Sequence, residues 1–224
     1  MSAWPAAGFT RIDATGVAID MDGVLLDSEE IHAAAYRTVL AVHGIDDFVY
    51  REHAGMRTDL VFERVFAARG RPLSAADLSV CVAEKRALAA ASLEARTPLV
   101  DGCVPVVRQL ATRRPLFLAS SASGGAVDRF FRASGLRDAF VGSLCGDDVP
   151  DAKPNPAIYV RAFAALGCSP HDGVVIEDAV AGVQAGRSAG ATVIGLGDYV
   201  RAGALRDAGC AVVISRLADL TDLL

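Results

Sequence analysis

Two aspartates one residue apart, Asp20 and Asp22, follow a short apolar run and precede Gly23. The run over residues 17–19 predicts a buried β-strand, because Val and Ile pack well on a pleated surface and no polar residue interrupts them. If the extended backbone continues, side chains at positions i and i+2 point to the same side, so the two carboxylates should lie together. Crowded carboxylates favour a positive partner, and a hard cation such as Mg²⁺ carrying phosphate oxygens fits them.

Polar side chains also follow two later predicted strands. Ser120 ends one of these strands, and Glu177 and Asp178 end another. Between them, Lys153 stands in an acidic, proline-rich loop. An aspartate pair alone often does no more than end a strand, but the carboxyl ends of parallel strands meet at one edge of a sheet. A hydroxyl, an ammonium and four acids converging there predict a metal-assisted phosphate site.

The elements that must position these residues are strands alternating with helices. Strands are predicted at residues 16–20, 116–119, 140–143, 174–176, 192–194 and 211–214. Helices are predicted at residues 29–43, 58–69, 75–95, 103–113, 125–134, 156–166, 179–189 and 201–208. This alternation predicts the α/β class, with a doubly wound, mostly parallel sheet as a Rossmann-like core.

A long helical insertion interrupts the alternation after the first strand. No segment between residues 29 and 94 has a strand pattern, and Ser28 and Ser74 are predicted helix N-caps. The first 15 residues are expected to be a frayed lead-in. The predicted domains are an α/β core of residues 1–28 and 96–224 and an all-helical cap of residues 29–95.

Composition narrows the classes of partner and compartment. The chain has 224 residues, a net charge of −5 and no basic run, which argues against a nucleic-acid partner. No stretch approaches the ~20 apolar residues that span a bilayer, and no leader pattern begins the chain. The five cysteines are dispersed, as is typical of reduced thiols. We therefore expect a cytoplasmic protein, a monomer or weak homo-oligomer, that binds a small metabolite.

Four segments resemble, in order and spacing, the four motifs of the haloacid dehalogenase superfamily: Asp20-x-Asp22-Gly23-Val24, Ser120, Lys153-Pro154 and Glu177-Asp178. The resemblance extends over residues 16–222. The insertion after the first motif is similar to the α-helical cap of the subfamily that contains β-phosphoglucomutase and many small-molecule phosphatases. One departure is Ala179, where this subfamily commonly has serine.

This resemblance implies a role for each motif residue. Asp20 is expected to attack phosphorus and form an aspartyl phosphate, and Asp22 to act as general acid and base. Ser120 and Lys153 are expected to bind phosphoryl oxygens. The implied cofactor is Mg²⁺, held by Asp20, the backbone carbonyl of Asp22, Glu177 and Asp178.

Substrate selection is expected in the cap. His32 stands twelve residues after the first aspartate, as in β-phosphoglucomutase-like members, and Lys85 is matched to a cap lysine of that enzyme. Gly55 and Arg57 lie in a segment similar to the subfamily's substrate-specificity loop, where a guanidinium could hold a second anionic group. Ser121 is a further candidate hydroxyl at the site. Each of these residues also suits a solvated helix face or an ordinary loop.

The leading functional expectation is a Mg²⁺-dependent phosphatase that hydrolyses a small sugar or polyol phosphate through an aspartyl-phosphate intermediate. The alternative is a β-phosphoglucomutase, which would return the phosphoryl group to a sugar. A true dehalogenase would need neither Mg²⁺ nor the acids Asp22, Glu177 and Asp178. A non-catalytic sugar-phosphate sensor would be expected to lack a nucleophile or a metal ligand, and this chain has them all.

Overall fold

A computed structural model of the chain describes residues 11–224. Within these residues, parallel strands form one six-stranded sheet in the order β3-β2-β1-β4-β5-β6. The strands are β1 (Gly16–Ile19), β2 (Leu116–Ala119), β3 (Gly142–Leu144), β4 (Gly173–Glu177), β5 (Thr192–Leu196) and β6 (Val212–Ile214). The predicted α/β class is confirmed.

Eight of the described helices occur close to their predicted positions, and the short last one was not predicted. They are α1 (Glu29–Val42), α2 (Thr58–Ala67), α3 (Ala75–Ala95), α4 (Cys103–Ala111), α5 (Gly124–Ser134), α6 (Ala157–Leu166), α7 (Val180–Ala189), α8 (Tyr199–Asp207) and α9 (Leu220–Leu223). A 3₁₀ turn, Tyr50–Glu52, follows α1. Across residues 11–224, the helices lack the combination of length and apolar composition that a membrane span requires.

The central strands are buried on both faces, which explains their unbroken apolar runs. In β1, Val17 and Ile19 pack into one hydrophobic cluster and Ala18 into another on the opposite face. The first cluster includes side chains of α4 and α5, and the second includes side chains of α6 and α7. Helices therefore cover both sides of the sheet and fix the direction of its strands.

The inserted helices have a hydrophobic cluster of their own. Tyr36 and Leu40 of α1 pack with Phe62 and Phe66 of α2 and with Cys81 of α3. No strand is found in the described structure of this segment, so the insertion is an all-helical cap. The boundaries between cap and core remain the prediction made from sequence.

The two chain crossings between core and cap run side by side. Leu26 and Leu99 form an isolated antiparallel bridge, and the Asp27 amide donates to the Pro98 carbonyl at 2.9 Å. The cap is therefore tied to the core by two adjacent backbone segments.

The predicted helix caps have different outcomes. Ser74 caps α3 as predicted, because its side chain accepts a hydrogen bond from the Asp77 amide. Ser28 precedes α1 but makes no side-chain cap bond. Its hydroxyl instead donates to Asp22 at 2.6 Å, so that prediction was wrong about where the hydroxyl is used.

The predicted lead-in divides into two parts. Residues 1–10 lie outside the described structure. Residues 11–15 are not frayed: the Ile12 amide donates to the Leu223 carbonyl, the Thr15 amide donates to the Asp172 carbonyl, and Ala14 is buried in the core. The lead-in prediction is therefore wrong for this second part, where backbone pairing holds the chain in place.

The strand order places the edge at which a ligand would bind. Strand β1 lies between β2 and β4, with Ile19 in register with Leu118 on one side and Ile176 on the other. From β1 the chain adds strands first on one side, as β2 and β3, and then on the other, as β4, β5 and β6, so the strand order reverses between β1 and β4. Ligands of open α/β sheets bind at such a switch point, beyond the carboxyl ends of the strands. The residues after β1, β2 and β4 therefore share one edge.

Candidate active site

Four charged side chains form a buried cluster at this edge: Asp20, Lys153, Glu177 and Asp178, each 8% exposed or less. Lys153 Nζ donates to Asp20 Oδ1 at 2.6 Å, to Glu177 Oε1 at 2.7 Å and to the Ala119 carbonyl at 3.1 Å. Burial alone would lower the pKa of Lys153, but the two carboxylates raise it well above its usual value. Lys153 is therefore a fixed cation behind Asp20.

Glu177 is held by four donors. Its Oε1 accepts from Lys153 and from the Tyr159 hydroxyl at 2.5 Å, and its Oε2 accepts from the amides of Asp178 and Ala179. A carboxylate offers about four lone-pair sites, so these donors occupy its capacity. Glu177 is consequently the rigid member of the cluster.

The cluster has more carboxylates than cations. One oxygen from each of Asp20, Glu177 and Asp178 can be chosen so that all three lie within 4.8 Å of one another. Burial, together with Glu177, raises the pKa of Asp178 to about 8, and burial also raises that of Asp20 well above its usual value. Carboxylates crowded in this way are stabilised by a cation, and an all-oxygen donor set fits a hard divalent ion.

Two glycines leave the space that these acids occupy. A Cβ atom on Gly23, which has φ of 81°, would overlap the Asp178 carboxylate, and one on Gly182 would overlap the Glu177 carboxylate. Any side chain at either position would displace an acid. The glycine after the aspartate pair is thus required by the close approach as well as by the turn.

Asp22 lies in different surroundings from Asp20. The strand ends at Ile19, so the two carboxylates are not alternate residues of one extended segment, although both line the cavity. Asp22 Oδ1 accepts from the Ser28 hydroxyl and lies 3.1 Å from His32 Nε2. Burial would raise the pKa of Asp22, but these two partners and the more distant Lys85 lower it to about 2.

A hydrogen-bonded chain joins Asp22 to the cap. Lys85 Nζ on α3 lies 3.1 Å from His32 Nδ1 on α1, and the His32 Nε2 atom faces Asp22. Because an ammonium can only donate, His32 accepts at Nδ1 and has its proton at Nε2. Burial lowers the pKa of Lys85 to about 8, and its ammonium lies 4.4 Å from the centre of the Tyr36 ring.

A cavity of about 290 Å³ opens between the sheet edge and the cap. The predicted site residues that line it are Asp20, Asp22, His32, Gly55, Lys85, Ser120, Ser121 and Asp178. The Ser120 oxygen accepts from the Ala122 amide at 3.1 Å, which leaves the hydroxyl proton for a ligand. Lys153 and Glu177 are fully buried and act on the cavity through Asp20 and Asp178.

Ser121 and Gly55 form a contact between core and cap. The Ser121 hydroxyl donates to the Gly55 carbonyl at 2.9 Å. A Cβ atom on Gly55, which has φ of 76°, would lie 2.7 Å from the Ala179 side chain. The cap loop therefore rests on the core at this point, and the Ser121 proton is already used there.

Arg57 is not brought into the cavity. Its guanidinium pairs with both oxygens of Asp59, the Nε–Oδ1 and Nη2–Oδ2 distances each being 2.8 Å, and also donates to the Pro150 carbonyl at 2.9 Å. Arg57 therefore connects the cap to the acidic loop of the core. Arg57 does not line the cavity in this arrangement, and its contact with a second anionic group stays a prediction.

Three further residues contribute to the site and were not predicted from sequence to be site residues. Ser28 and Tyr159 supply hydroxyl donors to Asp22 and Glu177, and no local pattern identifies either. Arg201 donates to Asp178 at 3.1 Å. It lies in the first turn of α8, the helix that follows β5, so the rule that strand ends converge on one edge could have pointed to this segment.

Comparisons with known proteins agree with this geometry. A family model described as haloacid dehalogenase-like hydrolase matches residues 14–190. The chain is 30% identical over 186 residues to fructose-1-phosphate phosphatase YqaB of Escherichia coli (strain K12), covering 78% of this chain and 92% of that protein. It is also 30% identical over 208 residues to validoxylamine A 7'-phosphate phosphatase of Streptomyces hygroscopicus subsp. limoneus, covering 91% and 93%.

A solved structure shares the fold. The β-phosphoglucomutase of Clostridium difficile superposes with a TM-score of 0.81 at 21% identity, covering 92% of this chain and 93% of that one. The family model accounts for most of the chain, and it includes all four motif segments. The chain therefore belongs to the haloacid dehalogenase-like hydrolases.

Proposed function

We propose that this protein is a Mg²⁺-dependent phosphatase that hydrolyses a small sugar or polyol phosphate through an aspartyl-phosphate intermediate. The observation that carries the proposal is the setting of Asp20, which faces the cavity while Lys153 holds its Oδ1 atom from behind. The two relatives near 30% identity are named as phosphatases of fructose 1-phosphate and of validoxylamine A 7'-phosphate, which supports the same reaction class.

In the proposed first step, the free carboxylate oxygen of Asp20 attacks phosphorus. A new bond forms between that oxygen and phosphorus, the ester bond to the leaving oxygen breaks, and the leaving oxygen takes a proton from Asp22. Ser120 donates its hydroxyl proton to a phosphoryl oxygen, and Lys153 offsets the charge that remains on Asp20. In the second step water attacks phosphorus, gives a proton to Asp22 and releases Asp20.

Asp20, Asp178 and the Asp22 carbonyl are the proposed magnesium ligands, and the ion when bound would shield the phosphate dianion from the carboxylates. Glu177 was also expected to be a ligand. Because its lone pairs already accept four hydrogen bonds, we assign it first to holding Lys153 and the Asp178 backbone in place. Direct coordination by Glu177 would require it to give up one of these donors.

Asp22 is ionised at neutral pH in the arrangement described, because its pKa is about 2. In that state it can accept a proton but is a weak base, since an efficient general base has a pKa near the working pH. Protonation for the first step requires its pKa to rise, and a phosphate dianion nearby has that effect because like charges disfavour ionisation. We assign His32 and Lys85 to orienting Asp22 from the cap, and Arg57 to holding the cap against the core.

Phosphate release from a panel of sugar, polyol and glycolytic phosphates, including D-fructose 1-phosphate, tests the proposal. We expect Mg²⁺-dependent release from one or a few members, abolished by EDTA and restored by added Mg²⁺. Formation of glucose 6-phosphate from β-glucose 1-phosphate and a trace of glucose 1,6-bisphosphate, with little free phosphate, would instead identify a mutase. A folded protein that binds Mg²⁺ but transforms no substrate would contradict both activities.

A further inference from the structure

The cavity extends away from Asp20, between the Tyr50–Glu52 turn of the cap and the start of α8 in the core. We propose that this extension is the subsite for the leaving group, that it accepts a neutral, polyhydroxylated carbon skeleton, and that Arg201 is its specificity-determining residue. This inference rests on the proposed phosphatase function, because it describes the part of the substrate that departs after phosphoryl transfer.

Arg201 is held by carboxylates from both parts of the molecule. Its Nη1 atom donates to Asp178 Oδ2 at 3.1 Å, and its Nη2 atom lies 3.3 Å from Glu29 Oε2, at the start of the first cap helix. Glu29 in turn accepts from Arg51 Nε at 2.7 Å. The guanidinium is thus fixed at the junction of cap and core, beside the proposed metal ligand.

One donor of this guanidinium has no acceptor. The Arg201 Nε atom is buried and makes no hydrogen bond with the described residues, and the carboxylate of Asp198 is too far away at 3.9 Å. A buried N–H group left without a partner is unfavourable, and structures rarely leave one so. Because protein atoms enclose the Nε atom, a ligand oxygen in the cavity that Arg201 lines would bind to the Nη atoms instead. Nη1 and Nη2 each have two N–H groups, and one of each is enough for the contacts with Asp178 and Glu29.

The charges around Arg201 favour a neutral ligand over an anionic one. Carboxylates of Glu29, Asp178 and Asp198 all lie within 4 Å of the guanidinium, and Glu52 also lines the cavity. With Asp178 assigned to the magnesium ion, the three remaining acids still outnumber the two arginines on this side, Arg201 and Arg51. A second phosphate group would be repelled here, whereas a hydroxyl can accept from Arg201 and donate to a carboxylate.

The remaining walls of the subsite are apolar. Val180 and Val200 line the cavity and are 40% and 74% exposed, which is unusual for large aliphatic side chains. Tyr50, Met56 and Leu205 line it as well. Apolar walls with a few placed polar groups are typical of small-molecule sites, and here the walls suit the C–H surface of a hydroxylated chain or ring.

Replacing Arg201 with methionine (Arg201→Met) tests the inference. The ratio of kcat/KM for D-glucitol 6-phosphate to kcat/KM for 4-nitrophenyl phosphate, which has no hydroxyl groups, should fall about tenfold or more, as expected for one charge-assisted hydrogen bond. Arg206→Met is the matched control, since Arg206 is an exposed arginine of the same helix that does not line the cavity. An unchanged ratio in Arg201→Met would overturn the inference.

Two further measurements separate the subsite from the phosphatase function. D-fructose 1-phosphate should be a better substrate than D-fructose 1,6-bisphosphate, and the opposite preference would overturn the neutral subsite. If the wild-type protein hydrolyses neither 4-nitrophenyl phosphate nor any sugar phosphate, the proposed function fails. Binding of D-glucitol itself, measured by saturation-transfer NMR, then decides the subsite: loss of the signal in Arg201→Met supports it, and an equal signal in both proteins overturns it.

Discussion

The sheet-edge cluster and the cap face of the same cavity are built in different ways. At the edge, Asp20 and Glu177 stand at or beside strand ends, and their positions follow from backbone pairing and buried hydrogen bonds. On the cap face, His32 and Lys85 reach the site from two separate helices. Strand order therefore positions the groups that carry out the proposed chemistry, whereas the packing of helices positions the groups that adjust it.

Activity should fall most when the nucleophile at the sheet edge is replaced. Asp20→Asn removes the proposed nucleophile with little change in volume, so we expect phosphatase activity to fall at least about a thousandfold. Phosphate release under saturating Mg²⁺ measures the loss, and circular dichroism checks that the fold is retained. If the variant kept most of its activity, Asp20 would not be the nucleophile.

A methyl group at the edge should also have a large effect. Gly182→Ala would push against the Glu177 carboxylate and its bonds to Lys153 and Tyr159. We expect the free energy of unfolding to fall by about 1–3 kcal/mol, as for overpacked cores, and the affinity for Mg²⁺ to weaken. Urea denaturation and titration calorimetry measure the two quantities.

Gly203→Ala is the matched control for that variant. Gly203 is also a helical glycine, but a Cβ atom there would meet nothing within 4 Å. The control should gain stability, by up to about 1 kcal/mol, because alanine favours a helix more than glycine does. If both variants behaved alike, the space beside Glu177 would have no special importance.

On the cap face we expect stability and activity to change in opposite directions. Lys85→Met replaces a buried ammonium with an apolar side chain, so the free energy of unfolding at pH 7 should rise by about 1 kcal/mol or more. Because His32 loses its Nδ1 donor, kcat/KM should fall about tenfold. Arg86→Met, at the neighbouring and less buried position, should show neither change.

The stabilisation of Lys85→Met should depend on pH. Lys85 has a pKa of about 8 in the folded protein against an ordinary value of 10.5, so the unfolded state binds more protons between these values. Below pH 8 the free energy of unfolding of the wild-type protein is therefore lowered by the full cost of burying the charge. This cost disappears as the pH rises towards 10.5. The difference between the two proteins in urea denaturation should shrink over that range; a constant difference would contradict the low pKa.

The smallest effect is expected for Arg57→Ala. The interpretation from sequence predicts a selective loss for substrates with a second anionic group, because Arg57 was expected in the cavity. The structure places its guanidinium on Asp59 and the Pro150 carbonyl, so we expect a uniform change in KM of about threefold or less. KM values for D-fructose 1-phosphate, D-fructose 1,6-bisphosphate and 4-nitrophenyl phosphate distinguish a selective loss from a uniform change.

The sequence worked best as a predictor where backbone geometry determines the position of a residue. The strands around Asp20 and Asp178 have continuous apolar runs, and parallel pairing then requires their ends to converge. It worked less well for side chains on helices. Nothing in the local sequence indicates that Arg57 turns towards the core or that Tyr159 supports Glu177, because helix rotation and rotamers depend on tertiary packing.

The same distinction explains the errors at local boundaries. Ser28 has the residue type and position of an N-cap, and local propensity gives no reason to expect its hydroxyl on Asp22. Similarly, the residues before β1 lack a periodic pattern, yet Thr15 pairs with Asp172, which is remote in sequence. Contacts between distant segments decided both cases.

The position of β1 within the sheet also affects how the chain can fold. Val17 pairs with Leu116 on one side and with Val174 on the other, so the strand next to the proposed nucleophile has only distant partners. Long loops must close before these pairings form, and such non-local topologies fold slowly. During synthesis β1 leaves the ribosome long before β4 exists, and its apolar residues stay exposed for that time. We therefore expect refolding to be slower and more prone to aggregation than that of a helical protein of the same length.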